Sequence, residues 1–93
     1  MKIRWLSQAS ADLAEIHSYL FAENPNAADR VVDEIVQAVA QLGVTPAMGR
    51  AGRVAETREL ILERYIVAYR VKSDVVQVLR ILHQTRRWPV RFK

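Results

Sequence analysis

The chain has 93 residues, 51% of them hydrophobic, and a formal net charge of +4. This size predicts a single domain, residues 1–93, with one buried core. The absence of cysteine excludes disulfides, thiolate metal sites and thiol nucleophiles, and two histidines are too few for a structural zinc centre. No apolar run approaches the roughly 18 residues that cross a bilayer, and the start lacks a signal-peptide segment. We therefore expect a cytoplasmic protein that uses no metal or cofactor.

The first element is predicted to be a short strand, because Ile3 and Trp5 alternate with polar neighbours. A helix should follow, with Ser7 as its N-cap and its end near Ala22. Apolar residues recur at helical spacing between these positions. The acidic residue Asp12 lies early in this helix, where the helix dipole favours negative charge.

A second helix is predicted to begin at Asn24-Pro25, since asparagine caps helices well and proline is tolerated at the first helical position. Its apolar residues form one stripe, and Gly43 occupies the place where a left-handed C-terminal cap is expected. Because only about three residues separate the helices, they should form an antiparallel hairpin.

The second half of the chain is predicted to be a loop followed by three strands. The loop covers residues 45–53, which contain one proline and two glycines. The strands cover residues 56–62, 65–72 and 75–83, and Ser73-Asp74 joins the last two as a tight hairpin. Both faces of the middle strand are partly apolar, so it should be central. The predicted fold is α+β: an antiparallel helical hairpin packed on a mostly antiparallel four-stranded sheet, in the order β-α-α-β-β-β.

Basic residues are concentrated in the predicted sheet. Residues 1–49 contain three basic and six acidic residues, whereas residues 50–93 contain eleven basic and four acidic residues. We therefore expect a basic sheet face, opposite the helices, that attracts a polyanion or an acidic protein segment. Arginine predominates there, which favours bidentate contacts with phosphate or carboxylate. The candidate binding residues are Arg50, Arg53, Arg58, Arg70, Arg80, His83, Arg86, Arg87 and Trp88.

Several short segments together resemble the RelE/ParE superfamily of bacterial toxins. They are Ala11-Asp12-Leu13 with Ile16 and Tyr19, Pro46 with Gly49-Arg50, Thr57-Arg58-Glu59-Leu60, Tyr65 to Tyr69, and Arg80-Ile81-Leu82-His83-Gln84. The resemblance covers nearly the whole chain. It implies the toxin of a type II toxin-antitoxin system, associated with plasmid stabilisation and growth inhibition and held silent by a cognate antitoxin in a hetero-oligomer.

The superfamily contains two activities, and the resemblance implies one or the other. RelE-like toxins cleave messenger RNA on the ribosome, whereas ParE-like toxins inhibit DNA gyrase. The nucleases usually carry an arginine on the third strand, and the matching position here is Ile66, which cannot neutralise a phosphate. Arg64 shares its strand side, but about 7 Å of displacement along the strand puts it too far away for that role.

His83 is the best candidate for proton transfer, because an unperturbed histidine titrates near neutrality. In a metal-independent endoribonuclease it would act with Arg64, Arg80 and Arg86. The alternative, which we favour, is a structural or binding role at the end of a strand. Glu59, likewise, is better explained as a partner of Arg58 or Arg64 than as a base.

These observations favour a ParE-like, non-enzymatic toxin that binds DNA gyrase. The first alternative is a RelE-like, ribosome-dependent endonuclease acting on messenger RNA. The second is a non-toxic module that binds only its antitoxin.

Overall fold

The computed structural model describes residues 1–85 and shows two helices packed on one face of a mixed sheet. The elements are β1 (Lys2–Trp5), α1 (Ser7–Glu23), α2 (Pro25–Leu42), a 3-10 turn (Pro46–Met48), β2 (Arg50–Ala51), β3 (Arg58–Ile61), β4 (Tyr65–Lys72) and β5 (Val75–His83). The strand order is β1-β5-β4-β3-β2. Only the β1–β5 pair within this sheet is parallel. The predicted α+β class and element order are confirmed.

The sheet has five strands where the sequence predicted four. The additional strand, β2, lies inside the predicted loop and has only two residues. Arg50 pairs with Glu59 and Ala51 with Arg58. A strand this short, between glycines, has no periodicity of its own, and its partner strand alone defines it.

Helix α1 begins one residue earlier than predicted. Ser7 is its first helical residue, Leu6 occupies the N-cap position, and no side chain caps the helix there. The backbone N–H of Leu6 instead donates to the carbonyl of Val78 at 3.0 Å. The chain therefore passes from the sheet directly into the helix, which leaves no separate residue for a polar cap.

Helix α2 begins as predicted and ends differently. The Asn24 side chain accepts a hydrogen bond from the N–H of Ala27 at 3.1 Å, and Pro25 is the first helical residue. Gly43, however, has a right-handed conformation with φ −68°, so the predicted left-handed cap is wrong. A Cβ at Gly43 would lie 3.0 Å from the carbonyl oxygen of Met1. This glycine allows the close approach of the N-terminal residue, whose amino group donates to the Gly43 carbonyl at 3.1 Å.

The core lies between the helices and the sheet, with β4 at the centre. Val67 and Tyr69 of β4 are fully buried, and Ile35 and Val39 of α2 are only 1% exposed. Fully burying an aliphatic side chain of this size stabilises a fold by about 1.5–3 kcal/mol. The central position predicted for the middle strand is confirmed.

The β4–β5 hairpin has the predicted boundaries and turn. Ser73 and Asp74 both have positive φ, 52° and 61°. Two consecutive residues of this kind form the tight turn whose twist matches that of the paired strands. Further along, Ala68 pairs with Arg80 but Tyr69 pairs with Val78, so β5 contains one unmatched residue at a bulge.

Tyr69 fastens the loop before β2 to the core. Its hydroxyl donates to the carbonyl of Pro46 at 2.7 Å and accepts from the N–H of Gly49 at 2.8 Å. The side chain is fully buried. A Cβ at Gly49 would lie 2.6 Å from this hydroxyl, so the contact requires glycine.

We expect Tyr69→Phe to lower the free energy of unfolding by about 1–3 kcal/mol, because the buried N–H of Gly49 loses its acceptor. Urea unfolding followed by circular dichroism measures this change. Tyr19→Phe is the matched control, since Tyr19 is 69% exposed and should change stability by less than about 0.5 kcal/mol. Equal losses in the two variants would contradict the role assigned to the Tyr69 hydroxyl.

Candidate functional site

A buried carboxylate lies between two of the predicted binding arginines. Glu59 on β3 lies opposite Arg50 on β2, and its side chain is 1% exposed. Its Oε2 accepts from the backbone N–H of Arg53 at 2.8 Å and from Arg53 Nε at 3.1 Å. Its Oε1 accepts from Arg50 Nη2 at 3.2 Å and from Arg53 Nη2 at 3.3 Å. The predicted partners, Arg58 and Arg64, do not make these contacts.

Glu59 stays ionised in this environment. Burial on its own raises the pKa of a carboxyl group, but hydrogen bonds from the side chain and backbone of Arg53, and then from Arg50, outweigh it and hold the pKa of Glu59 below its ordinary value of 4.5. The charge of one guanidinium is thereby balanced. Because the Arg50 side chain remains 62% exposed, part of this cluster still faces solvent.

Arg58 and Arg70 also make internal hydrogen bonds. Arg58 Nη1 donates to the carbonyl of Gly49 at 2.7 Å, and Arg70 Nε donates to Gln77 Oε1 at 2.6 Å. Arg58 pairs with Tyr69 across the sheet and so lies on the helix side of β3. The first arginine supports the loop before β2, whereas the second lies across the opposite face of the sheet.

A second buried carboxylate, Asp12 of α1, holds Arg80. Asp12 is 8% exposed. Its Oδ2 accepts from Arg80 Nε at 2.7 Å and from the backbone N–H of Ile81 at 3.0 Å, while its Oδ1 accepts from Arg80 Nη2 at 3.2 Å. The contact lies beside the β5 bulge and joins the first helix to the last strand. The sequence analysis placed Asp12 early in the first helix and within a segment that resembles the superfamily, but nothing local to it indicated a partner 68 residues away.

His83 ends β5 with one ring nitrogen already engaged. Its Nδ1 lies 3.2 Å from the backbone N–H of Thr85 and 2.8 Å from the Thr85 hydroxyl. Because a backbone N–H can only donate, Nδ1 is the acceptor, and the proton of the neutral ring is on Nε2. The ring also meets Tyr65 edge-on, with 5.4 Å between centroids. In this state His83 presents a hydrogen-bond donor, and its lone pair is occupied by Thr85.

A cavity of about 450 Å³ lies between α1 and the ends of β4 and β5. Its lining includes Glu15, Arg64, Tyr65 and His83. The structure thus brings together two of the four residues proposed for catalysis. Arg80 is instead bonded to Asp12, which lines the cavity. The fourth, Arg86, lies outside the described residues, as do Arg87 and Trp88.

Ile66 faces away from this cavity. It is 3% exposed and pairs with Leu82 on one side and Ile61 on the other. Arg64 precedes β4 in the turn after β3 and lines the cavity on the helix side. The predicted placement of Arg64 on the strand side of Ile66 is therefore wrong, because the residue belongs to a turn and not to the strand.

The face of the sheet opposite the helices is not a continuous arginine surface. Ile66, Ala68 and Leu82 are buried there, with at most 4% exposure. Most of the predicted arginines that the structure describes are bonded to internal groups instead. Within residues 1–85 no group of three or more histidine or acidic side chains is arranged to hold a metal ion, and no helix is long and apolar enough to cross a membrane.

Comparison with known proteins explains this architecture. The model of the family described as "ParE toxin of type II toxin-antitoxin system, parDE" matches residues 3–88. The chain belongs to this family. It is therefore a toxin of the RelE/ParE superfamily, and it belongs to a type II toxin-antitoxin system.

Relatives of this ParE-family toxin are found among curated sequences. The putative toxin Y4kP of Sinorhizobium fredii is 43% identical over 90 residues, which cover 95% of this chain and 93% of the relative. Toxin RelE3 of Caulobacter vibrioides is 33% identical over 84 residues, covering 86% and 90% of the two chains. The second relative thus carries a RelE name, although the matching family model is that of ParE toxins.

Solved structures agree with the fold. A chain of the chromosomal ParDE toxin-antitoxin system of P. aeruginosa superposes with a TM-score of 0.81 at 33% identity, covering 89% of this toxin and 95% of that chain. A chain of the RelBE2 toxin-antitoxin complex of Mycobacterium tuberculosis has a TM-score of 0.68 at 21% identity, with 89% and 96% coverage. The second likeness supports the fold alone.

We expect Glu59→Gln to destabilise the ParE-family toxin near neutral pH by about 1–3 kcal/mol, because a buried, charge-assisted hydrogen-bond network loses its charge. Because the pKa of Glu59 is lower in the folded state than in the unfolded state, its ionised carboxylate stabilises the fold fully above about pH 4.5. This contribution to the free energy of unfolding is lost as the pH falls through the folded-state pKa. The stability difference between wild type and variant should therefore narrow on acidification. Urea unfolding at a series of pH values measures it.

Glu63→Gln is the matched control for this prediction. Glu63 is exposed, close to Glu59 in sequence, and its carboxylate makes no hydrogen bond or ion pair within the described residues. This variant should keep wild-type stability over the whole pH range. A Glu59→Gln difference that stays constant with pH would contradict the assigned protonation behaviour.

Proposed function

We propose that this ParE-family toxin inhibits DNA gyrase by binding it, without cleaving RNA. The observation that carries the proposal is that an isoleucine, Ile66, occupies the position on β4 where the superfamily nucleases usually have an arginine. Ile66 is buried and packed between the apolar residues Ile61 and Leu82. The uncharged side chain of Ile66 cannot neutralise a phosphate. A cationic side chain at this position would lose the apolar packing against Ile61 and Leu82.

The state of the other cationic groups supports the same proposal. RNA cleavage through a 2'-hydroxyl needs a base, an acid and cations at the phosphorane. Arg80 is committed to Asp12, and the Nδ1 lone pair of His83 is committed to Thr85. The ParDE neighbour, at 33% identity and a TM-score of 0.81, also favours the ParE branch.

A second candidate function is ribosome-dependent cleavage of messenger RNA. The observation in its favour is the shared cavity, where Arg64 and the Nε2–H of His83 supply a cation and a hydrogen-bond donor. Glu15 lines the same space. The cavity lacks a second uncommitted cation among the described residues, which makes this the weaker proposal.

We further propose that a cognate antitoxin neutralises the toxin in a hetero-oligomer in the cytoplasm. The structural neighbour at 33% identity comes from a toxin-antitoxin system. Growth should arrest when the toxin is induced alone and should recover when the neighbouring gene is co-expressed. Normal growth after induction of folded toxin would instead identify a module that only binds its antitoxin.

The target is tested by two assays with the same purified protein. We expect gyrase to lose supercoiling activity on relaxed plasmid, and we expect messenger RNA on programmed ribosomes to remain intact. Toxin premixed with its antitoxin is the control in both assays. Cleaved message together with unaffected supercoiling would replace the gyrase proposal with the endonuclease.

Replacing His83 with glutamine gives a residue-level test. We expect His83→Gln to keep most of its gyrase inhibition, because glutamine offers a similar hydrogen-bonding side chain at the end of β5 and no proton transfer is required. Inhibition is measured as the toxin concentration that halves supercoiling. Complete loss of toxicity with an unchanged circular dichroism spectrum would indicate that His83 transfers a proton.

A further inference from the structure

Four cations lie together on the sheet face away from the helices, at the end nearest the β4–β5 turn. Lys2 and Lys72 are both aligned with Val75, and Arg4 and Arg70 are both aligned with Gln77. Their strands are neighbours in the order β1-β5-β4. We call these four residues, Lys2, Arg4, Arg70 and Lys72, the hairpin-end patch.

The alternation of each strand puts all four side chains on the same face. Ile3 and Trp5 of β1 pack against the core, as do Val76 and Val78 of β5 and Tyr69 of β4. Side chains adjacent to these along each strand must point to the other side of the sheet. Lys2, Arg4 and Lys72 are exposed there and Arg70 is half-buried.

The patch is a dense array of positive charge. Strands separated by about 4.8 Å place cations on β1 and β4 about 10 Å apart, and alternate residues of one strand are about 7 Å apart. No member of the patch forms an ion pair within residues 1–85, and Arg70 donates only its Nε to neutral Gln77. The acidic residue of the adjoining turn is Asp74, which lies at the edge of the array.

We propose that the hairpin-end patch binds the phosphate backbone of duplex DNA. About 10 Å of a duplex carries about six phosphate charges, enough to engage all four cations. The described residues of the patch and those between them, Val75 and Gln77, include no aromatic side chain on which an unstacked base could lie. Single-stranded nucleic acid is usually held by such stacking, so the surface suits a stacked duplex better.

This inference goes beyond gyrase inhibition and is tested without gyrase. Fluorescence anisotropy of a labelled 30-base-pair duplex, titrated with toxin at several salt concentrations, gives the affinity and its salt dependence. If the four cations engage phosphates, the logarithm of the association constant should fall with the logarithm of salt with a slope of about −3 to −4. Absence of binding at low salt, or a slope near −1, would overturn the proposal.

Charge-matched variants locate the surface. Arg4→Gln should weaken DNA binding about five- to tenfold at 0.1 M salt and should reduce the magnitude of the slope by about 0.9. Arg30→Gln removes the same charge from the exposed side of α2 and should leave binding nearly unchanged. Equal losses in the two variants would overturn the proposal, because they would indicate diffuse attraction to the whole molecule. Circular dichroism melting confirms that both variants are folded.

A single-stranded RNA of the same length completes the experiment. It should bind more weakly than the duplex, because the patch provides no stacking surface. Tighter binding to RNA would overturn the assignment to duplex DNA. Lys72→Gln, on the strand at the other side of the patch, should repeat the Arg4→Gln result and thereby show that the two sides act together.

Discussion

The parallel pairing of β1 with β5 fixes the arrangement of the whole molecule. It joins residues 2–5 to residues 75–78, so the first and last strands of the described chain are neighbours in the sheet. The chain leaves β1 at Leu6, still bonded to β5, and enters α1 at once. This start lays the helical hairpin across the sheet and places Asp12 against the edge of β5 just beyond the end of β1. There its carboxylate accepts the N–H of Ile81, which adjoins a bulge in the strand.

Buried carboxylates determine what the arginines of this toxin do. Removing a charged group from water is costly unless it is paired and hydrogen-bonded. Asp12 meets this requirement with Arg80, and Glu59 meets it with Arg50 and Arg53. These guanidinium groups stabilise the junctions between α1 and β5 and between β2 and β3. A count of arginines in the sequence therefore overstates the cationic surface, because part of that charge compensates acids inside the fold.

The fold was predictable wherever the signal was local. The hairpin of β4 and β5 has the predicted bounds, because alternation defines its strands and Ser73-Asp74 defines its turn. Strand β2 was missed because its two residues show no alternation of their own and are defined as a strand only by their pairing with β3. Gly43 was misread for a similar reason: it is needed for the approach of Met1, 42 residues away. Contacts between distant segments leave no periodic trace in the sequence.

The candidate site was even harder to predict from the sequence, because it too is built from contacts between distant segments. The sequence singled out Arg64 and His83, and the structure places both in the lining of one cavity. The same sequence reasoning left Lys2 and Arg4 in the acidic half of the chain. Strand order, and not position along the chain, decides which charges are neighbours. Once β1 lies beside β5, two cations from the first five residues stand opposite Arg70 and Lys72 with no carboxylate between them. Unlike the arginines beside Glu59 and Asp12, these four form no ion pair within residues 1–85. An external anion would lower the mutual repulsion of these four cations, and this is why we propose the hairpin-end patch, rather than the arginine-rich strands, as the docking surface for a polyanion.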